Sequence, residues 1–175
     1  MAVLHAVDDM VVEEGYAAMT MTGIASRAGV GKQTIYRWWA SKAEILLEAV
    51  MQDAETGLAV DPAPTTAEEI DTFLATVVRF LTETHEGAAY RALVGEAQHD
   101  ARVAKLIRSS DVLVAAALPV LKRAIARGDL PADLDLNDAA AGLIGPVFFR
   151  VFTGAGVGIP DSGAEFVAHY APRSS

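Results

Sequence analysis

With 175 residues, 52% of them hydrophobic, the chain holds enough apolar material for one large or two small domains with a true core, and an intrinsically disordered protein is excluded. Fourteen Lys+Arg against 23 Asp+Glu leave a formal charge of −9, so most of the surface repels phosphates and a generic polyanion binder is excluded too. The absence of cysteine rules out disulfides, thiolate metal sites and thiol nucleophiles.

No apolar run reaches the ~18 residues that a bilayer crossing needs. The longest, Ala139 to Phe149, is interrupted by Gly142, Gly145 and Pro146. Met1 to Val12 has no basic leader and carries Asp8 and Asp9, so it reads as structure rather than as a signal peptide. A cytoplasmic protein that meets no membrane is expected.

Periodicity is helical almost throughout and strand-like alternation is missing, which predicts an all-α fold. A first helix spans about Val3 to Glu14, with Leu4, Val7 and Val11 on one face and Gly15 as its stop. Thr20 or Thr22 caps a short second helix holding Ile24, Ala25 and Ala28, and Gly29-Val30-Gly31 turns the chain into a third, Lys32 to Trp39. Ser41 and Glu44 form a capping box that starts a fourth helix at Lys42 and carries it to about Glu55. The stretch Gly57 to Thr66, with Pro62 and Pro64, reads as a connection. Beyond it come helices over Ala67 to His85 and Ala88 to Ala97. A helical pattern from Asp100 to Arg127 follows, expected to kink or break near Ser109-Ser110 because it contains Pro119. An apolar helix over Asn137 to Phe152, a glycine-rich loop from Gly154 to Asp161 and a last short helix from Ser162 to Tyr170 complete the chain.

Charge is unevenly distributed. From Gly15 to Ala43, 29 residues carry four bases, Arg27, Lys32, Arg37 and Lys42, and no acid, which leaves ten bases and all 23 acids elsewhere. The electropositive stretch coincides with helix-turn-helix grammar over Thr20 to Lys42: a short helix with the small Ala25 on its inner face, a turn at Gly29 and a second helix. Ile24, Val30, Ile35 and Trp39 fit a small core between the two. The other face of the third helix presents Lys32, Gln33, Thr34, Tyr36, Arg37 and Trp38. These are donors, cations and ring surfaces, as a helix lying in a major groove requires.

The run Thr20-Met21-Thr22-Gly23-Ile24-Ala25-Ser26-Arg27-Ala28-Gly29-Val30-Gly31-Lys32-Gln33-Thr34-Ile35-Tyr36-Arg37-Trp38-Trp39, continuing through Ser41, Lys42, Glu44 and Leu46, resembles the DNA-binding signature of the TetR (tetracycline-repressor-type) transcriptional regulators. The likeness is nearly gap-free over about 45 N-terminal residues, a spacing of capping, turn and helix residues that is specific. It implies a homodimer that reads a palindromic operator in double-stranded DNA through Thr22, Lys32, Gln33, Thr34, Tyr36, Arg37 and Trp38. Lys42 is expected to hold a phosphate at the start of helix four. It further implies a helical C-terminal domain that dimerises and binds a small-molecule inducer, so that the chain divides into a DNA-binding domain over 1–46 and a ligand-binding and dimerisation domain over 47–175. Two departures stand out: the sequence opens directly on the apolar face of helix one, where members of the family commonly carry an Arg/Lys-rich arm, and Trp38-Trp39 replaces the more usual His-Phe type of pair.

In the C-terminal region Phe73, Val77, Phe80, Tyr90, His99 and Phe148 are candidates to line a pocket for a small apolar or amphipathic effector. Leu143, Val147 and Val151, helped by Phe166 and Tyr170, form an apolar stripe expected to pack on its symmetry mate. Glu96 and His99 have the spacing of a di-iron ligand pair, but such sites need a second pair and two more carboxylates, so no metal is expected. No cofactor and no catalytic constellation is expected either. The alternative reading is a helical ligand-binding or enzymatic bundle that does not bind DNA.

Overall fold

A computed structural model describes residues 2–156 and 162–171, and every regular element among them is α-helical. The order is α1 (Ala2–Glu13), α2 (Met21–Arg27), α3 (Lys32–Trp38), α4 (Lys42–Gly57), α5 (Thr66–Glu83), α6 (His85–Ala97), α7 (Ala101–Ser109), α8 (Val112–Arg127), α9 (Leu136–Thr153) and α10 (Ser162–Tyr170). The expected loop from Gly154 to Asp161 lies outside the described residues beyond Gly156.

Two compact units emerge, and their limits differ from a division after residue 46. One unit joins the residues up to Ala54 with Leu81–Asp111; the other joins Glu55–Phe80 with the chain from Val112 onward. The first therefore takes α6 and α7 in addition to the head, because α1 buries an apolar face from Val3, Leu4, Val7 and Val11 and packs along α6. A sequence pattern reports that such a face exists, but not which distant helix covers it.

In this first unit helix ends follow local chemistry. Gly15 takes φ +78 and ends α1, a conformation that costs a residue without a Cβ little. The cap of α6 is Thr84, whose hydroxyl accepts from the Gly87 amide, and the cap of α7 is Asp100, which accepts from the Arg102 amide. The break expected near Ser109-Ser110 occurs there, with Ser110 at φ −151, ψ 48, and Tyr90 donates its hydroxyl to Asp111 just beyond it. Pro119 itself lies inside an unbroken α8. Ala115, whose carbonyl it deprives of a partner, and Pro119 are both exposed, so water can satisfy that carbonyl.

The second unit is organised around Glu69, which is 0% exposed. Its carboxylate accepts from Arg123 and, at 2.7 Å, from Arg127, two residues of α8. Burial alone pushes this carboxyl up, but the hydrogen bonds from Arg123, Arg127 and the Ala63 amide outweigh it and hold it below its usual range. The same guanidinium groups also donate to the carbonyls of Val60 and Ala63, so the Pro-rich connection ahead of α5 is fastened to α8. At the far end of α5's first turns, Gly163 of α10 donates its amide to Asp71 at 2.7 Å. A Cβ on Gly163 would run into the backbone of Ala67.

Two predictions follow from these environments. Gly163→Ala must shift α10 away from α5, because the obstacle is backbone and not a flexible side chain, and a loss of ~1–3 kcal/mol in denaturant unfolding is expected. Asp8 on α1 has a buried Oδ1 with no hydrogen-bond partner. Burial raises its carboxyl from 3.8 to about 6, Asp53, Glu86 and Asp9 add to the rise, and His5 opposes it. Between these two values the folded state binds the proton that the unfolded state has lost, so stability falls as pH rises from about 4 to about 6 and is then level. Asp8→Asn should remove that slope and raise the melting temperature at pH 7.5 while changing it little at pH 4; equal shifts at both values would contradict the assignment.

Candidate nucleic-acid interface

The turn between α2 and α3 is built from few interactions, each visible in the residue types. Thr20, not Thr22, caps α2: its hydroxyl accepts from the Gly23 amide at 3.0 Å. Thr22 is left exposed two positions further on. Gly29 takes φ +67, and the Val30 amide returns to the Ala25 carbonyl at 3.0 Å, closing the corner. Ile24, Ala25 and Ile35 are buried between the two helices, whereas Val30 and Trp39, expected in this core, are only half-buried. Trp39 lies at its rim because its indole N–H donates to Glu48 of α4 at 2.7 Å.

Ile35 is the one buried residue of α3. Lys32, Gln33, Thr34, Tyr36, Arg37 and Trp38 are all exposed. Tyr36 is 57% and Trp38 68% accessible, which is unusual for such large rings on a folded domain and marks a contact surface. Arg37 lies over the Trp38 ring at 5.4 Å from its centroid, so cation and ring form one flat, positively charged plate. The structure thus brings together the six residues expected on the outward face of α3.

The four bases of the acid-free stretch fall into two kinds. Lys32 and Arg37 are exposed on α3. Arg27 makes a bidentate pair with Glu13 of α1, at 2.7 and 2.8 Å, and reaches Asp9 at 3.9 Å. The Arg27 bond holds the Glu13 carboxyl below its usual range. Lys42, expected on a phosphate, directs its ammonium inward to the carbonyls of Tyr16 at 2.7 Å and Met19 at 3.0 Å. Arg27 ties α2 to α1, and Lys42 ties α4 to the loop ahead of α2, a use that a charge count along the sequence cannot distinguish from an open one. The capping box differs in one detail: Glu44 donates its amide to Ser41 at 3.3 Å, but its carboxylate accepts from Ala40, not from Ser41.

The remaining expectations are distributed differently. Phe73, Val77 and Phe80 are buried on α5, and Phe148 is half-buried on α9, all in the second unit. Tyr90 is buried in the first unit with its hydroxyl on Asp111, and His99 stands exposed in the α6–α7 turn, so these two belong to a different unit from the other four. Leu143, Val147 and Phe166 are buried within the chain itself, and Val151 and Tyr170 are half-buried. The stripe on α9 expected to meet a symmetry mate is therefore largely its inner face. Its outer face carries Gly142, Gly145, Pro146, Phe149 and Phe152, with Phe149 66% and Phe152 39% exposed. The three- and four-residue spacing of this second set was readable, but α9 is apolar on both sides and periodicity does not say which side is inward. Among the described residues no three His, Asp or Glu side chains converge as a metal site would need, and no helix is long and apolar enough to cross a membrane.

Comparison with known proteins matches the head and the rest of the chain separately. Residues 3–49 match the model of bacterial regulatory proteins of the tetR family, and residues 60–169 match the tetracyclin repressor-like C-terminal domain. The chain belongs to the TetR family. It is a DNA-binding transcriptional regulator of the helix-turn-helix type. An uncharacterized HTH-type transcriptional regulator of Bacillus subtilis (strain 168), YdeS, is 32% identical over 152 residues, covering 86% of this chain and 76% of the relative. The DNA-binding transcriptional repressor TetR of Mycobacteroides abscessus is 27% identical, covering 82% and 78%. Among solved structures, the TetR family transcription regulator SCO0332 superposes with a TM-score of 0.78 at 28% identity, covering 97% of each chain. The family assignment agrees with the geometry of α2 and α3, and the all-α architecture of the regulator is that of its relatives.

Proposed function

We propose that this TetR family member is a repressor that binds a palindromic operator as a two-fold dimer and is released by a small apolar or amphipathic effector. The observation that carries the reading is α3, where six of seven residues are exposed and the set combines two cations, two aromatic rings and two hydrogen-bonding polar side chains. Such a helix offers bidentate and apolar contacts to base edges, and it carries two exposed cations and no acid in an otherwise acidic protein. Gln33, Thr34, Tyr36 and Trp38 contact bases, Lys32 and Arg37 contact phosphates, and Thr22 at the start of α2 meets the backbone of the same groove edge. The relative named as a repressor supports the sign of regulation.

Dimerisation uses the outer face of α9. Gly142, Gly145 and Pro146 keep side chains short where two helices cross, and Phe149 and Phe152 supply the apolar area that water otherwise meets. Two heads held by such a dimer enter successive major grooves when their recognition helices lie ~34 Å apart. The effector binds in the second unit, against Phe73, Val77, Phe80 and Phe148, and shifts the dimer by its differential affinity for the two arrangements. An enzyme lacking DNA binding is the weaker reading, since the exposed rings of α3 would then have no task. Action on DNA places the protein's work in the cytoplasm.

A gel shift with the DNA upstream of the regulator's own gene, repeated over a salt series, tests the reading. With two exposed cations per head, the log of affinity should fall against log salt with a slope of about −4 for the dimer, where four open bases per head would give about −7. Lys32→Ala with Tyr36→Ala should weaken the shift by about 100-fold or more at an unchanged melting temperature, since a base contact is worth ~1–3 kcal/mol and each head loses one along with a phosphate contact. No salt-sensitive shift by the wild-type chain would overturn the proposal. In sedimentation, Phe149→Glu with Phe152→Glu should turn a dimer into a folded monomer whose operator affinity is lost with it; a dimer that survives both changes would place the interface elsewhere.

A further inference from the structure

The loop between α1 and α2 has little to hold it in place by itself. Its backbone contributes one weak internal bond, from the Met19 amide to the Tyr16 carbonyl at 3.3 Å. The carbonyls of Tyr16, Ala17 and Met19 instead converge on a single atom, Lys42 Nζ, at 2.7, 3.5 and 3.0 Å. The ring of Tyr16 closes a further side, with Nζ 4.2 Å from its centroid. An ammonium has three hydrogens and no more, and here three carbonyl oxygens surround it. Burial lowers the Lys42 ammonium from its ordinary range, with Glu96 opposing, as expected of a cation that has exchanged water for backbone dipoles.

We propose that Lys42 is a positioning residue for sequence recognition, which fixes the loop leading into α2 against the first turn of α4, and that it makes no phosphate contact. The proposal rests on the reading of α3 as the recognition helix. The mechanical path is short. Met19 immediately precedes Thr20, whose hydroxyl caps α2, and α2 holds α3 through the Ala25–Val30 hydrogen bond and the Ile24–Ile35 core. A displaced Met19 carbonyl tips α2 and α3 together. Base contacts in the major groove depend on register at the scale of a hydrogen bond, whereas attraction of Lys32 and Arg37 to phosphates does not. Lys42 therefore acts on specificity, and its charge adds nothing to the counterions released on binding.

The discriminating variants are Lys42→Met and Lys42→Arg, with Lys32→Ala as the reference for a lost phosphate contact. On a short random-sequence duplex, Lys42→Met should keep the wild-type affinity and salt slope, while Lys32→Ala flattens the slope by roughly 0.9 per head. On the DNA upstream of its own gene Lys42→Met should lose about tenfold in affinity, the equivalent of one charge-assisted hydrogen bond. Lys42→Arg should fail to restore it, because no single nitrogen of a planar guanidinium can donate to three carbonyl oxygens at once. Amide exchange without DNA should quicken over residues 16–24 and stay unchanged in α6 and α7. The proposal is overturned if Lys42→Met flattens the salt slope as Lys32→Ala does, if Lys42→Arg binds like wild type, or if exchange rises evenly throughout the first unit. A wild-type chain that binds neither duplex would sink the recognition reading instead, and the exchange pattern would still decide whether Lys42 fixes the loop.

Discussion

A helix of two turns has almost no stability of its own in water, because nucleation consumes most of what its few hydrogen bonds return. α3 is such a helix, and Ile35 is its one buried residue. Everything that aims its outer face must therefore come from outside: the Gly29 corner, the return of Val30 to Ala25, the apolar contact with Ile24 and the Trp39–Glu48 bond that joins its C-terminal end to α4. The constraint has a benefit. Because only one residue is spent on attachment, the other six stay exposed, which a helix anchored by two or three positions would not allow.

Electrostatics follow the same division between holding and reaching. The acid-free stretch has four bases, but two are already engaged: Arg27 pairs at the surface with carboxylates of α1, and Lys42 turns onto loop carbonyls. Lys32 and Arg37 remain exposed on α3, against a molecule whose formal charge is −9, and in the proposed reading they are the pair that meets phosphates. With so little long-range attraction, the proposed reading expects weak affinity for an arbitrary duplex and discrimination through the polar and aromatic side chains between the cations. An acidic body and a sparsely charged head thus favour a selective reader over a general one.

Helix order and the turn at Gly29 could be read from the sequence because they depend on local chemistry: the cap at Thr20 and the left-handed glycines at 15 and 29. Thr84, by contrast, falls inside the helix expected over 67–85, although it caps α6. What could not be read depends on pairs of residues far apart in the chain. Glu13 with Arg27, Lys42 with the 16–19 carbonyls, and Asp8 with Asp53 and Glu86 leave no mark in periodicity. The same reason explains α9. Leu143 and Val147 on one side and Phe149 and Phe152 on the other are equally apolar, and only the position of α8 decides which pair is inside. The family resemblance carried Lys42 over as a phosphate ligand by its place in the motif, whereas the atoms around it are set by Tyr16, a residue just ahead of that motif.

The tether at Glu69 bears on the stretch with Pro62 and Pro64. Sequence composition makes it look like slack rope between two bodies, yet Arg123 and Arg127 grip the Val60 and Ala63 oxygens with the same groups that neutralise a carboxylate sealed from water. Letting go of the rope means abandoning a buried ion, so length changes there are answered for in the interior of the helical unit. A segment whose side chains are mostly exposed is in this way one of the least forgiving places to insert or delete a residue.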